Sequence, residues 1–188
     1  MDVFDAIRLR RSVKPLDMKP DPVPRAMLER LLEAANWAPS HRVTEPWRFI
    51  VFTGDARIAL GETAARTLSP DGELDPSHPK QSSTIAKMSH APVVIAIVCQ
   101  PSTLPKVVEH EEIISTAIAA QHIQLGARAM GLGSYWSSGD KIEHPRMAEF
   151  LDIAAPARCL GFLFVGWPRV EWPEGSRRPI ADKVAWRS

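Results

Sequence analysis

The amino-acid sequence predicts an α+β fold in a single domain, with a parallel α/β sheet as the second choice. Four short apolar runs have the length of strands, and they lie among segments whose apolar residues recur at helical spacing. The run from Val93 to Cys99 is apolar throughout, which is typical of a central strand buried on both faces. The length of 188 residues also fits one domain.

Caps, prolines and apolar spacing define the predicted elements. Asp2 is a suitable N-cap for the first helix, and Pro39 and Gly131 end the second helix and the longest one. The predicted helices span residues 3–9, 25–37, 56–67, 111–130 and 146–151, with a short helical piece before Pro92. The predicted strands span 48–53, 93–99, 133–137 and 159–165, and a long exposed loop or lid is expected over 69–83.

Three of the helices are expected to bury an apolar stripe. In the first, Val3 and Ile7 lie four residues apart and would share the buried face. The second helix would bury Leu28, Leu31, Leu32 and Ala35, and the long helix would bury Ile114, Ala117, Ile118, Gln121 and Leu125, widened by Ile113 and Ala120. We therefore expect the long helix to be central and largely buried.

The charge and the cysteine content exclude several classes of protein. A formal net charge of +1 argues against nucleic acid as a partner, because proteins that bind it usually carry a basic excess. Cys99 and Cys159 both lie in apolar runs and are expected to be buried thiols. The chain does not begin with a signal-like leader, and no uncharged apolar run reaches about 18 residues. We therefore expect a cytoplasmic protein that does not bind membranes.

Motifs for metal binding, nucleophilic catalysis and dinucleotide binding are incomplete. His110 and Glu111 begin like a zinc-protease motif, but Ile114 stands where its second histidine is required. Gly131 and Gly133 lack the third glycine of the dinucleotide fingerprint. We assign no catalytic side chain and no metal ligand, and an enzyme with this sequence would take its reactivity from a cofactor.

The connector between the second helix and the first strand has the composition of a binding loop. A connector that only had to turn would use Gly, Asn or Ser. This one carries Pro39, His41, Arg42, Glu45 and Trp47 within nine residues. Polar and aromatic side chains on a loop between rigid elements indicate a ligand site. We call residues 38–46 the binding loop.

A basic cluster follows the first helix and contains Arg10, Arg11, Ser12 and Lys14. Guanidinium groups donate paired hydrogen bonds to phosphate oxygens, and a serine hydroxyl adds a further donor. Taken alone, a solvated basic run beyond a helix end explains the cluster more simply. Together with the binding loop, the cluster points to an anionic, planar ligand.

Two further segments allow the same pair of interpretations. Trp136 could stack on a ring while Ser137 and Ser138 hydrogen-bond its edge, or it could be a core aromatic followed by a turn. Arg177 and Arg178 could clamp a phosphate or belong to an exposed tail. Each signal is weak, but their order and spacing along the chain are specific.

This ordered set of segments resembles the flavin-dependent nitroreductase family, and the similarity covers most of the chain. The matching parts are the basic cluster, the segments 38–41 and 45–49, the long helix, and the segments 131–136, 161–168 and 177–179. The chain is most similar to the short, single-domain members with a histidine in the Ala-Pro loop. The segment 69–83 carries no motif of the family.

The resemblance implies a mainly antiparallel sheet flanked by helices, in an obligate homodimer that binds FMN at the subunit interface. The residues implied to hold the FMN phosphate are Arg10, Arg11, Ser12 and Arg177, and Lys14 would face the pyrimidine edge of the flavin. His41 and Trp37 would lie against cofactor or substrate, and Trp136, Ser137 and Ser138 would line the other side. The single domain spans 1–188, and its extension from about 169 to 188 would pack on the partner subunit through Trp172 and Trp186.

The implied activity is that of an FMN-dependent NAD(P)H oxidoreductase acting on nitroaromatic, quinone or similar conjugated acceptors. Two departures from the family pattern bear on the acceptor. Glu45 stands where the family often has glutamine, and Ser137 stands where close relatives often have arginine. The alternative is a flavin-binding or flavin-storage protein without efficient turnover.

Overall fold

The computed structural model describes residues 1–187, and in that part of the chain it has six α-helices and four β-strands. The helices are α1 (Val3–Leu9), α2 (Arg25–Asn36), α3 (Ala56–Arg66), α4 (Pro79–His90), α5 (Glu109–Ala129) and α6 (Pro145–Phe150). The strands are β1 (Trp47–Phe52), β2 (Val93–Cys99), β3 (Gly133–Ser137) and β4 (Arg158–Gly166). The strands and five of the helices begin and end within two residues of the predicted positions, and α4 is the short helical piece expected before Pro92.

The four strands form one antiparallel sheet in the order β1-β2-β4-β3. In its register Trp47 lies opposite Cys99, and Val93 lies opposite Val165. β2 is therefore an interior strand, and all of its side chains are buried, which confirms the prediction of a central strand. The antiparallel pairing confirms the α+β class and excludes the parallel α/β alternative.

Helices cover both faces of the sheet and bury apolar side chains against it. The first core, under α3 and α4, includes Leu60, Ala64, Met88, Val94, Phe162 and Phe164. The second core, under α2 and α5, includes Leu31, Ala35, Ile95, Ile123, Leu163 and Val165. The predicted stripe on α2 is confirmed, with Leu32 half-buried and its other members buried.

The predicted stripe on α5 is wrong, although the helix lies where it was expected. Ile114 is 54% exposed, and Ala120 is the one residue of the predicted set that is buried. The buried face instead carries Glu112, Ser115, Thr116, Ala119, Ala120, Ile123, Gln124 and Ala127. Mostly small side chains on this face let α5 approach its neighbours closely, with Ile123 as the one large aliphatic residue among them, and Ile114 turns outward.

The structure also corrects the expectations for α1 and α4. Val3 and Ile7 are 59% and 54% exposed, whereas α1, which packs on α5, buries the small side chain of Ala6. The predicted loop over 69–83 is shorter, since α4 begins at Pro79. His78 caps α4 by accepting a hydrogen bond from the amide of Gln81, a role that histidine seldom fills and that the sequence therefore did not indicate.

Candidate functional site

Three guanidinium groups gather beyond the C-terminal end of α1. Burial, followed by the charges of Arg177 and Arg11, lowers the pKa of the Arg10 guanidinium. None of the salt bridges within residues 1–187 involves these three arginines. Arg10 makes only one long hydrogen bond, 3.5 Å to the side-chain oxygen of Gln124. Like charges held together without an acid form a site that favours an anion. We call Arg10, Arg11 and Arg177 the arginine cluster.

Arg11 serves the main chain as well as the arginine cluster. Its Nη1 donates to the carbonyl oxygens of Arg8 at 2.8 Å and of Arg10 at 2.7 Å. These bonds satisfy carbonyls that the end of α1 leaves without helical partners. Its Nε is buried and has no partner in the described chain. Arg11 therefore has fewer donors left for a ligand than Arg10 has.

Residues 12–14, which follow Arg11, run along β3, the strand at one edge of the sheet. The amide of Val13 donates to the carbonyl of Ser134 at 3.0 Å, and a Cβ at Gly133 would lie 2.8 Å from the Val13 Cβ. Val13 is buried, whereas Ser12 and Lys14 on either side of it are exposed. Since alternate residues of an extended segment point to opposite sides, Ser12 and Lys14 share one outward face.

The side chains of Trp136 and Ser137 lie on opposite faces of the sheet. Trp136 packs against the second core, and its Nε1 donates to the carbonyl oxygen of Leu160 at 3.3 Å. Ser137 pairs with Phe162 on the first-core face, where Ser137 and Ser138 line a cavity of about 490 Å³. One face of a ligand ring would therefore not meet both Trp136 and these serines, and the structure favours the core-aromatic interpretation of Trp136.

Two lysines that the sequence analysis did not single out also line this cavity. They are Lys87 of α4 and Lys141, which follows β3, and we call the space the lysine cavity. Lys141 Nζ donates to Oγ1 of Thr84 at 2.8 Å. Burial, followed by the charges of Lys87 and Lys80, lowers the pKa of the Lys141 ammonium group. No sequence motif marks these lysines, because only the packing of α4 beside the segment after β3 brings them together.

The binding loop packs against the N-terminal end of α5. Nδ1 of His41 lies 2.5 Å from Oε2 of Glu111, and this hydrogen bond holds the pKa of the carboxyl group below its usual range. The carboxylate of Glu112 is fully buried and accepts hydrogen bonds from Oγ1 of Thr44 at 2.6 Å and from the amide of Ser102 at 3.0 Å. Two neighbouring acids of α5 therefore hold the loop.

The predicted residues of the binding loop lie far from the arginine cluster in one chain. His41 reaches Glu111, and Arg10 reaches Gln124 on the same helix, so their partners are 13 residues apart. At the rise of an α-helix this is about 20 Å. Trp37 is 78% exposed at the C-terminal end of α2. The structure thus groups Arg10, Arg11 and Arg177 but separates them from His41.

Among residues 1–187, no helix is long and apolar enough to cross a bilayer. No group of three or more His, Cys, Asp or Glu side chains in the range could hold a metal ion.

The four-stranded antiparallel sheet enclosed by helices is a nitroreductase-like fold. The chain belongs to the nitroreductase family, since the model of that family matches residues 7–167. The resemblance seen in the sequence is thereby confirmed, and membership of this family supports oxidoreductase activity.

Individual relatives match almost the whole chain. YfhC of Bacillus subtilis strain 168, which carries a provisional NAD(P)H nitroreductase name, is 29% identical over 180 residues, 95% of this chain and 91% of that protein. A nitroreductase-like family protein from Bacillus cereus has a TM-score of 0.87 at 25% identity, covering 100% of this chain and 96% of its own. A Desulfovibrio desulfuricans protein, provisionally a nitroreductase and solved with FMN, has a TM-score of 0.75 at 24% identity, covering 100% and 98%.

Proposed function

We propose that this protein is an FMN-dependent NAD(P)H oxidoreductase that reduces nitroaromatic, quinone or similar conjugated acceptors. The observation that carries the proposal is the arginine cluster, in which Arg10, Arg11 and Arg177 have no acidic partner within residues 1–187. A phosphate monoester carries about two negative charges near neutral pH and offers three acceptor oxygens. The phosphate of FMN therefore matches both the charge and the donors of the cluster.

The residues around the arginine cluster fit the rest of FMN. Arg10 and Arg177 would hold the phosphate together with Ser12, which is exposed beside them. Lys14 shares the outward face of Ser12 and would lie toward the pyrimidine edge of the ring, where a cation favours the reduced, anionic form. Ser137 and Ser138 would approach the ring edge from the lysine cavity.

In this proposal, the protein's own side chains bind and orient the FMN. Bound FMN supplies the exchange of electrons between NAD(P)H and the acceptor. We assign no acid or base to a side chain, since water can provide the protons. The positive charges of Arg10, Lys14 and Arg177 would attract the cofactor and favour its reduced state.

We infer that two copies of the chain complete the site. His41 and Arg10 contact α5 about 20 Å apart, so one chain does not bring both to the same part of one ligand. α1 and α5 also expose large apolar side chains, with Phe4 80% and Ile7 and Ile114 each 54% exposed. A second copy that covers this surface would bury it and would bring a second binding loop toward the arginine cluster.

The C-terminal extension divides into two parts in this proposal. Trp172 packs on Arg128 of its own chain, with the Arg128 Cζ 3.7 Å from the ring centroid. This contact differs from the expectation that Trp172 anchors on the partner subunit. Trp186 is 93% exposed, and we propose it as the partner anchor. Residue 188, the last of the expected extension, lies outside the described residues.

The cofactor and the activity are tested on the purified protein. It should be yellow and release FMN on denaturation, and a folded preparation that neither carries nor takes up FMN rules the proposal out. NADH or NADPH should reduce the bound flavin and be consumed in the steady state with a nitroaromatic or quinone acceptor. Bound flavin that neither nucleotide reduces would instead indicate the flavin-binding or storage function.

The dimer is tested by sedimentation velocity with absorbance detection at the flavin band. Wild type should sediment as a dimer that carries the flavin. Phe4→Asp puts a charge on the exposed face of α1 and should shift the protein toward monomer with loss of flavin. Ile58→Asp is the matched control, because Ile58 is also exposed, at 43%, but lies on α3. Monomeric wild type that keeps FMN would contradict the shared site.

A further inference from the structure

The C-terminal extension, here called the tail, contacts Arg128 and then Arg11 before the chain reaches Arg177. The indole of Trp172 lies against the guanidinium of Arg128, 3.7 Å from its centroid to Cζ. Gly175 then crosses the guanidinium of Arg11 so closely that a Cβ would lie 2.2 Å from Cζ. Two residues later comes Arg177, whose charge acts on Arg10. We call residues 172–177 the tail strap.

Apart from the Trp172 ring, the guanidinium of Arg128 has no identified favourable contact within residues 1–187. Burial, followed by the charge of Arg11, lowers the pKa of its guanidinium. Its Nε is buried without a hydrogen-bond partner in the described chain, and no salt bridge within residues 1–187 includes it. The face of the Trp172 ring is therefore its identified favourable contact, and a cation over an indole is stabilised more strongly when water is excluded.

The strap is also the part of the tail that the rest of the chain holds. Beyond it, Ile180 is 73% and Trp186 is 93% exposed. Within residues 1–187, the side chain of Arg177 hydrogen-bonds only the adjacent carbonyl of Ser176, so its own contacts do not fix it near Arg10. Its position must then come from the preceding residues of the strap.

We propose that Arg128 and Trp172 are positioning residues, whose contact fixes the tail strap on its own chain and so places Arg177 beside Arg10 in the phosphate site. This inference rests on the proposed FMN function. It assigns the pair to recognition of the phosphate group, through Arg177, and not to recognition of the flavin ring.

The test compares FMN with riboflavin, which has the same ring but no phosphate. Both are titrated into flavin-free protein by fluorescence quenching, and the readout is the ratio of the two dissociation constants. Trp172→Leu should lower the preference for FMN by about ten- to a hundredfold, the value of one charge-assisted hydrogen bond, while riboflavin binding stays unchanged. Trp172→Phe keeps an aromatic face for Arg128 and should restore most of the preference. Ile180→Ala, in the same tail but beyond the strap, should have no effect on the ratio.

A double-mutant cycle decides whether Trp172 acts through Arg177. Arg177→Ala should lower the preference as Trp172→Leu does, and the double variant should be no worse than Arg177→Ala alone. Losses that multiply in the double variant would overturn the inference, as would a Trp172→Leu protein that loses FMN and riboflavin affinity equally. A wild type with no preference for FMN overturns the phosphate site itself, whereas a preference that survives Trp172→Leu overturns only the role of the strap.

Discussion

Replacing Arg10 by alanine should weaken FMN binding without destabilising the ligand-free protein. Most arginines near a binding site contribute to both properties, but Arg10 lacks an acidic partner within residues 1–187 and lies near two other guanidinium groups. In the ligand-free protein its charge is disfavoured by burial and by Arg177 and Arg11. A bound phosphate reverses this situation, because it supplies the missing negative charge.

The expected magnitudes follow from the contacts of Arg10. Loss of one charge-assisted hydrogen bond costs about 1.5–3 kcal/mol of binding free energy, which is about ten- to a hundredfold in the dissociation constant. Arg10 has only a 3.5 Å hydrogen bond to Gln124 to lose on folding. We therefore expect the free energy of unfolding of the ligand-free protein to fall by no more than about 0.5 kcal/mol.

Two measurements on the same preparation separate the two effects. FMN titration of the ligand-free protein gives the dissociation constant, and urea denaturation with and without FMN gives the stabilities. With FMN in excess, the variant should lose about 1.4–2.7 kcal/mol of the ligand-induced stabilisation. Arg8→Ala is the control, because Arg8 lies two residues before Arg10, in the last turn of α1, but pairs with Asp5 at the surface.

Two results would refute this reasoning. Unchanged FMN affinity in folded Arg10→Ala would show that the arginine cluster is not the phosphate site. A ligand-free variant that is destabilised by several kcal/mol would show that Arg10 is a structural residue, whose contacts outweigh the repulsion from its neighbours.

Glu112→Ala should lower the free energy of unfolding by about 1–3 kcal/mol, because the half-buried amide of Ser102 loses its side-chain acceptor, whereas Glu109→Ala, which removes a half-exposed salt bridge, should change it little. Gly161→Ala should cost about 1–3 kcal/mol by overpacking, because its Cβ would lie 2.3 Å from Nε1 of Trp136. Gly139→Ala, at a φ of 132° against 147° for Gly161 but with nothing within 4 Å, separates backbone strain from this clash in thermal unfolding. Both cysteine thiols are buried, as predicted, and burial raises the pKa of Cys159 to about 11, so a thiol reagent at neutral pH should label them only after unfolding.

The secondary structure could be predicted because its signals are local. The continuous apolar run of β2 and the stripe of α2 depend on the residues of each element alone. The buried face of α5 could not be predicted in this way. A count of apolar residues selects Ile114 and its neighbours, but the close approach of α5 to its neighbours selects small residues such as Ala119 and Ala127. How closely two elements pack is a tertiary property that periodicity does not contain.

The candidate site, too, could be predicted from the sequence only where its signals are local. The composition of the segment after α1 indicated Arg10 and Ser12. Arg177 was one of two interpretations of a distant segment until the resemblance favoured it as a phosphate ligand. Lys87 and Lys141 belong to no motif, and only the fold brings them together. The separation of Trp136 from Ser137 was available from the sequence, since side chains alternate along a strand and both residues lie in one predicted strand.

The backbone of the binding loop is strained at three positions. Arg42, Val43 and Glu45 have φ values of 57°, 54° and 48°, a region that costs residues other than glycine about 1–3 kcal/mol each. Glycine at these positions would relieve the strain but would remove the side chains that the loop presents.

Hydrogen bonds from both ends of the loop hold this geometry in place. The Ser40 hydroxyl accepts from the amide of Glu45 at 2.9 Å and lies 3.0 Å from the hydroxyl oxygen of Thr44, which in turn donates to the buried carboxylate of Glu112. Contacts within the same chain therefore hold the conformation in which the loop presents His41. A loop held in one conformation loses less conformational entropy when it binds a ligand, and this saving offsets part of the cost of its strained backbone.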